Sequence, residues 1–88
     1  FLIENRIPVV SEDTWGGEIT SAAVAHFAAS TPHEYLVNST DLFNYNTRST
    51  GIGGPTVRHG KLYAPDTPGL GVEPDFDALG DPIATYRS

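Results

Sequence analysis

The chain has 88 residues, room for one small domain with a modest core. Five Lys and Arg stand against eleven Asp and Glu, a net charge of -6, and Arg48, Arg58 and Lys61 are too scattered for a basic stripe, which argues against nucleic acid as a partner. There is no cysteine, and the three histidines, at 26, 33 and 59, lack metal-ligand spacing with neighbouring acids, so neither disulfides nor zinc are available to staple so small a core.

Phe1, Leu2 and Ile3 before Glu4-Asn5-Arg6 read as the last turn of a helix ended by Asn5. Ile7-Pro8-Val9-Val10-Ser11 is a β-branched run bounded by a polar cluster, which predicts a strand over 7–11 buried on both faces in a parallel sheet, with Pro8 tolerated near its start. Glu12 to Gly17 is a loop. From Glu18 the residues Ile19, Ala22, Ala23, His26 and Phe27 recur at helical spacing, so a helix is expected over 18–30, with acid in its first turn and Thr31-Pro32 at its end. Its alanines allow close approach to a sheet. Tyr35 to Asn38 is the next strand, followed by a polar, aromatic loop through Tyr45. Strand, helix, strand makes one parallel α/β unit.

The second half is rich in the chain's nine glycines and seven prolines and has few long apolar runs, so it is expected to pack on something else. Gly51-Ile52-Gly53-Gly54 reads as a turn, because no helix pattern follows that would make it a phosphate loop. Pro55 to Arg58 and Lys61 to Ala64 flank His59-Gly60 as a hairpin. Between residues 65 and 76, Pro65, Pro68, Gly69 and Gly71 fix tight backbone states, Leu70 and Val72 supply apolar anchors, and Glu73 and Asp75 return to solvent. A short turn near 76–80 and an extended run over 82–86 complete the chain.

Polar residues gather after both parallel strands: Ser11, Glu12, Asp13, Thr14 and Trp15 after the first, Asn38, Ser39, Thr40 and Asp41 after the second. In α/β barrels that edge is where chemistry occurs. Alternation puts Val9, Ser11 and Asp13 on one side and Val10 and Glu12 on the other, and likewise Asn38 with Thr40 and Ser39 with Asp41. The commoner role for Asp13 and Asp41 is to cap backbone amides at loop and helix starts. Trp15, the only Trp, can stack on an apolar or cationic ligand or plug a barrel mouth. His26 lies on the helix, away from the strand ends, and reads as a packed or surface histidine. No run of about 18 apolar residues and no signal-peptide pattern occurs, which suggests a soluble, cytoplasmic protein without a membrane partner. Asn38-Ser39-Thr40 matches the glycosylation triplet, but it ends a strand pattern, so no weight is placed on it.

Ile7-Pro8-Val9, Glu12 to Gly17, Ala22 to Pro32, Thr40-Asp41-Leu42 and Pro65 to Val72 together resemble the C-terminal portion of the mandelate racemase/muconate lactonizing family of the enolase superfamily. Within that family the likeness is to the branch acting on proline derivatives, such as cis-3-hydroxy-L-proline dehydratase and hydroxyproline betaine epimerase. The resemblance implies the last two strands and intervening helix of a (β/α)7β TIM-like barrel: residues 7 to 11 as the seventh strand, 18 to 30 the seventh helix and 35 to 38 the eighth strand. Residues 1–45 would be barrel, and 46–88 a return segment packing with an α+β capping domain.

Such enzymes abstract a proton α to a carboxylate and hold the enediolate on Mg²⁺. In the family the acidic metal ligands and the lysine acid/base residues come from earlier strands, so the resemblance assigns neither metal nor catalytic residues to these 88. Family members with a histidine base carry it at the end of the seventh strand, where this sequence has Glu12-Asp13, which favours a lysine pair. Asp13, Thr14 and Trp15 would then form one wall for a small carboxylate substrate, and Asn38, Ser39, Thr40 and Asp41 the other. A homo-oligomer is expected. The alternatives are a sugar-acid dehydratase of the same superfamily and a small non-catalytic interaction module.

Overall fold

In the computed structural model, which describes residues 1–13 and 15–87, a parallel pair of short strands is backed by one helix. β1 (Val9–Ser11) and β2 (Leu36–Ser39) are joined through α1 (Glu18–Ser30), the strand–helix–strand unit expected from the periodicity. Val9 pairs with Leu36, Val10 with Asn38 and Ser11 with Ser39, so Val37 is an extra residue that bulges β2. The face of β1 carrying Val9 and Ser11 is buried, and α1 meets it with Ser21, Ala22, Ala25 and Ala28. These small side chains recur every three or four residues on one face of the helix, which lets it lie close on the sheet. Ser11 Oγ donates to the Val24 carbonyl at 3.4 Å across that contact.

β1 was expected to be buried on both faces. Only one is covered here: Val10 is 57% exposed and Val37 67% exposed. Their β-branched side chains fit a covered strand, yet a two-stranded sheet with one helix has nothing else among the described residues to lay on that face.

Before β1 the chain ends a helical turn. The Ile7 amide donates to Leu2 O and the Arg6 amide to Ile3 O, the paired bonds of a helix C-terminus. Arg6, one residue beyond Asn5, takes the left-handed conformation at φ 55°. Asn5 instead donates its side-chain amide to Phe1 O.

After β2 come a 3-10 turn (Leu42–Tyr45), then β3 (Gly51–Gly53), β4 (Thr56–Arg58), β5 (Lys61–Tyr63), β6 (Val72–Pro74) and α2 (Phe76–Leu79). β4 and β5 form the expected hairpin, with His59 and Gly60 both at positive φ as a two-residue turn of the primed kind requires. Gly51 to Gly53, expected as a turn, is a strand paired antiparallel with β6. The reason is tertiary. A Cβ on Gly51 would meet Val72 Cγ2 at 2.8 Å and Glu18 Cβ at 2.9 Å, so glycine is there to let the strand lie against the start of α1. The glycine- and proline-rich stretch over 65–76 is thus turns followed by the partner strand. Asp75 caps α2 by accepting from the Asp77 and Ala78 amides, and Gly80 closes it at φ 74°. The run 82–86 forms no strand. Among the described residues no helix is long and apolar enough to cross a membrane.

Candidate functional site at the strand ends

The loops leaving β1 and β2 are tied together before either reaches solvent. The Thr40 amide donates to Ser11 O at 3.0 Å, and Thr40 Oγ1 accepts from the Asp13 amide at 3.1 Å. Asp13 continues the buried face of β1 and is 6% exposed. One of its carboxylate oxygens accepts from the Trp15 amide at 3.1 Å and the other from Ser21 Oγ on α1 at 2.8 Å. The carboxylate is therefore turned toward the helix, while Glu12 shares the exposed side with Val10.

Trp15 sits at φ 64° with its side chain 68% exposed. For a residue with a Cβ the left-handed conformation costs roughly 1–2 kcal/mol. The hydrogen bond that the Trp15 amide donates to Asp13 offsets part of that cost. So does the Tyr45 ring, 5.6 Å from the indole in an edge-on arrangement of a kind contributing about 0.5–1.5 kcal/mol. Asn46 Nδ2 donates to Gly16 O at 3.4 Å beside them.

On the β2 side, Asn38 Oδ1 accepts from the Ser39 amide, and Asp41, half-buried, accepts from Asn44 Nδ2 at 2.7 Å. Ser39 Oγ is buried with no hydrogen-bond partner. Asn38, Ser39, Thr40, Asp41 and Tyr45 line one cleft of about 420 Å³, closed from the other side by Val57 and Leu62 of the hairpin. The structure thus brings the four β2 residues together with Tyr45, joins Trp15 to them through Tyr45, and sets Asp13 behind Trp15. Thr14 lies outside the described residues. A larger cleft, about 620 Å³ between β3 and the 67–73 loop, shares no residue with the strand ends.

Three residues here were not singled out from the sequence. Tyr45 carried a signal, an aromatic ring four residues past Asp41 in a polar loop. Asn46 carried none. Glu18 was read only as an acid suited to a helix start, but it is buried and accepts through Oε2 from the Thr50 amide at 3.1 Å and the Thr50 hydroxyl at 3.2 Å. Burial pushes its carboxyl up, yet hydrogen bonds from Ser49, its own amide and Thr50 outweigh that and hold it below the ordinary glutamate value.

Chemically, this edge offers a carboxylate, amide and hydroxyl groups and two aromatic rings, a set that binds and orients a cation or hydrogen-bond donor. Among the described residues no three His, Cys, Asp or Glu side chains converge to hold a metal ion.

The family model described as Enolase C-terminal domain-like matches residues 4–78. The chain is 46% identical over 84 residues to the cis-3-hydroxy-L-proline dehydratase of Roseibium aggregatum, a match covering 96% of this chain and 23% of that protein. A crystal structure of a mandelate racemase/muconate lactonizing enzyme from Roseovarius nubinhibens ISM is 77% identical, with a TM-score of 0.90 over 96% of this chain and 23% of that one. A second structure from the same organism, a putative member of that family complexed with magnesium, is 32% identical, with a TM-score of 0.88 over 98% of this chain and 24% of that one. The chain therefore spans about a quarter of the length of these relatives.

Proposed function

The chain belongs to the enolase C-terminal domain-like family, and on that premise we propose that it is part of an enzyme that removes the proton α to the carboxylate of an amino acid or proline derivative. Racemisation, epimerisation or dehydration would follow from the same proton abstraction. In this reading β1, α1 and β2 are the seventh strand, seventh helix and eighth strand of a (β/α)7β barrel, and residues 46–88 return to a capping domain. The acid/base lysines and the Mg²⁺ ligands belong to the longer protein, a homo-oligomer of the cytoplasm. Among the described residues of this chain no three potential metal ligands converge.

The observation that carries the reading is the cleft at the strand ends, where Asp41 and Tyr45 share one wall and the exposed Trp15 ring leans on Tyr45. A carboxylate attracts a substrate ammonium, and an indole face attracts the same cation, so the pair suits an amino acid or betaine better than a sugar acid, which carries no cationic group. Asn38, Ser39 and Thr40 supply further polar groups on the β2 side. The 46% identity to cis-3-hydroxy-L-proline dehydratase supports the same substrate class.

The test is deuterium exchange at the α-carbon, followed by NMR, with the complete protein and Mg²⁺ against proline derivatives and sugar acids. Exchange is expected with the proline-type amines. Trp15→Ala should raise KM for them about tenfold, the factor that a lost interaction of about 1.4 kcal/mol gives, and leave other acids unaffected. Turnover of sugar acids alone, or exchange catalysed by the isolated 88 residues, would overturn the proposal.

A further inference from the structure

Both carboxylate oxygens of Asp13 already accept a hydrogen bond inside the chain, and burial leaves them little surface to offer a ligand. One oxygen holds the Trp15 amide at 3.1 Å, the other holds Ser21 Oγ at 2.8 Å, and the residue is 6% exposed. Its own amide is taken by Thr40 Oγ1 at 3.1 Å. Ser21 is fully buried on α1, in the row of small residues that packs on β1. A continuous path thus runs from the helix through Ser21 and Asp13 to the backbone of Trp15, and crosses to the β2 loop at Thr40. At its end stands an exposed tryptophan in a backbone conformation it does not favour, at φ 64°, with its ring edge-on to Tyr45.

We infer that Asp13 is a positioning residue: it locks the Trp15 backbone so that the indole stands against Tyr45 at the edge of the cleft, and it acts on the substrate only through that ring. The inference rests on the strand-end cleft being the substrate site, but its first consequence, the placement of Trp15, is measurable without any substrate. It also separates two carboxylates that local sequence treats alike. Asp41 lines the cleft, and among the described residues its carboxylate accepts from Asn44 alone. Asp13 lies behind the wall and braces it.

The experiment uses the complete protein labelled with 5-fluorotryptophan, the Trp15 resonance being assigned by its loss in Trp15→Phe. Ser21→Ala removes a hydroxyl that no ligand can touch, yet it should shift or broaden the Trp15 resonance. Asp13→Ala should do so more strongly. Asp13→Asn should do so least, because an amide keeps an oxygen for the Trp15 N–H and can donate to Ser21 Oγ. With a proline-type substrate the same order should appear in KM, about tenfold for Asp13→Ala and about threefold for Ser21→Ala, with kcat moving less. A silent Ser21→Ala together with an Asp13→Asn as damaging as Asp13→Ala would overturn the inference, since it would show that the charge of Asp13 meets the ligand directly. If no amine is turned over but the fluorine shifts follow the stated order, the substrate proposal fails and the placement of Asp13 stands.

Discussion

Residues 1–45 bury one sheet face against a row of serine and alanine on α1, whereas residues 46–88 leave most of their four short strands and α2 in solvent. The contacts that attach the second region include Glu18 on Thr50, Gly51 against the Glu18 side chain, Asn46 Nδ2 on Gly16 O, and the His26 ring nitrogen 3.3 Å from the Leu70 carbonyl. In the first region many small contacts share the burden, so its shape follows from periodicity. In the second, single glycines and one carboxylate set the path, so single substitutions there should have outsized effects.

The largest such effect is expected at Gly71. It sits at φ 67°, and a Cβ there would run into the Pro65 ring and the Thr67 hydroxyl. Gly69, two residues earlier at φ 71°, has nothing within 4 Å of an added Cβ. Gly71→Ala should therefore add steric conflict to the left-handed penalty and cost about 3 kcal/mol, while Gly69→Ala carries only the backbone term of roughly 1–2 kcal/mol. Thermal denaturation of the two variants in the complete protein compares them directly. Equal losses would mean that Pro65 moves aside freely and that this loop is not the rigid hinge the contrast with residues 1–45 requires.

Glu18 joins the two regions and is the next largest lever. Replacing its charge in Glu18→Gln weakens two bonds to Thr50 and should cost about 1–3 kcal/mol at neutral pH. The sign with pH follows from the direction of the shift. The folded carboxyl lies below its ordinary value, so its contribution is fully present above the unfolded glutamate range and is lost as pH falls through the folded value. Hydrogen-exchange protection of the Thr50 and Gly51 amides should accordingly drop in acid in the wild type and show less acid dependence in Glu18→Gln. Curves that stay parallel across the carboxylate range would show that ionisation of Glu18 does not hold this loop.

These residues also show where sequence was sufficient. The strand–helix–strand unit announced itself because periodicity is local: β-branched residues at Val9 and Val10, then helical spacing from Glu18. The buried face of the helix did not, because Ile19, Ala23 and Phe27, expected on it, are exposed, and the smaller Ser21, Ala22, Ala25 and Ala28 meet β1 instead. The positive-φ hairpin turn at His59-Gly60 was equally local. Gly51 was misread as part of a turn because its reason for being glycine, Val72 and Glu18, lies 21 and 33 residues away along the chain. The site was legible as an edge, from the polar residues that follow each strand. Which side chains face the cleft was less so, because the roles of Asp13 and Tyr45 depend on Ser21 and Trp15, partners that spacing alone does not identify.

The smallest expected effect is a gain, and it tests whether part of the second region follows local rules after all. His59 adopts φ 51° at an exposed two-residue turn, a conformation that asparagine enters more readily. His59→Asn creates the Asn-Gly pair that such turns favour and should raise the stability of the complete protein by about 0.5 kcal/mol, seen as a small rise in the denaturation midpoint. The flanking strands keep their register, since Arg58 still sits over the Tyr63 ring at 5.0 Å and Leu62 remains half-buried. A loss of stability instead would mean that the His59 ring makes contacts worth more than the turn preference. The hairpin would then join Gly51 as a feature set by distant neighbours rather than by its own sequence.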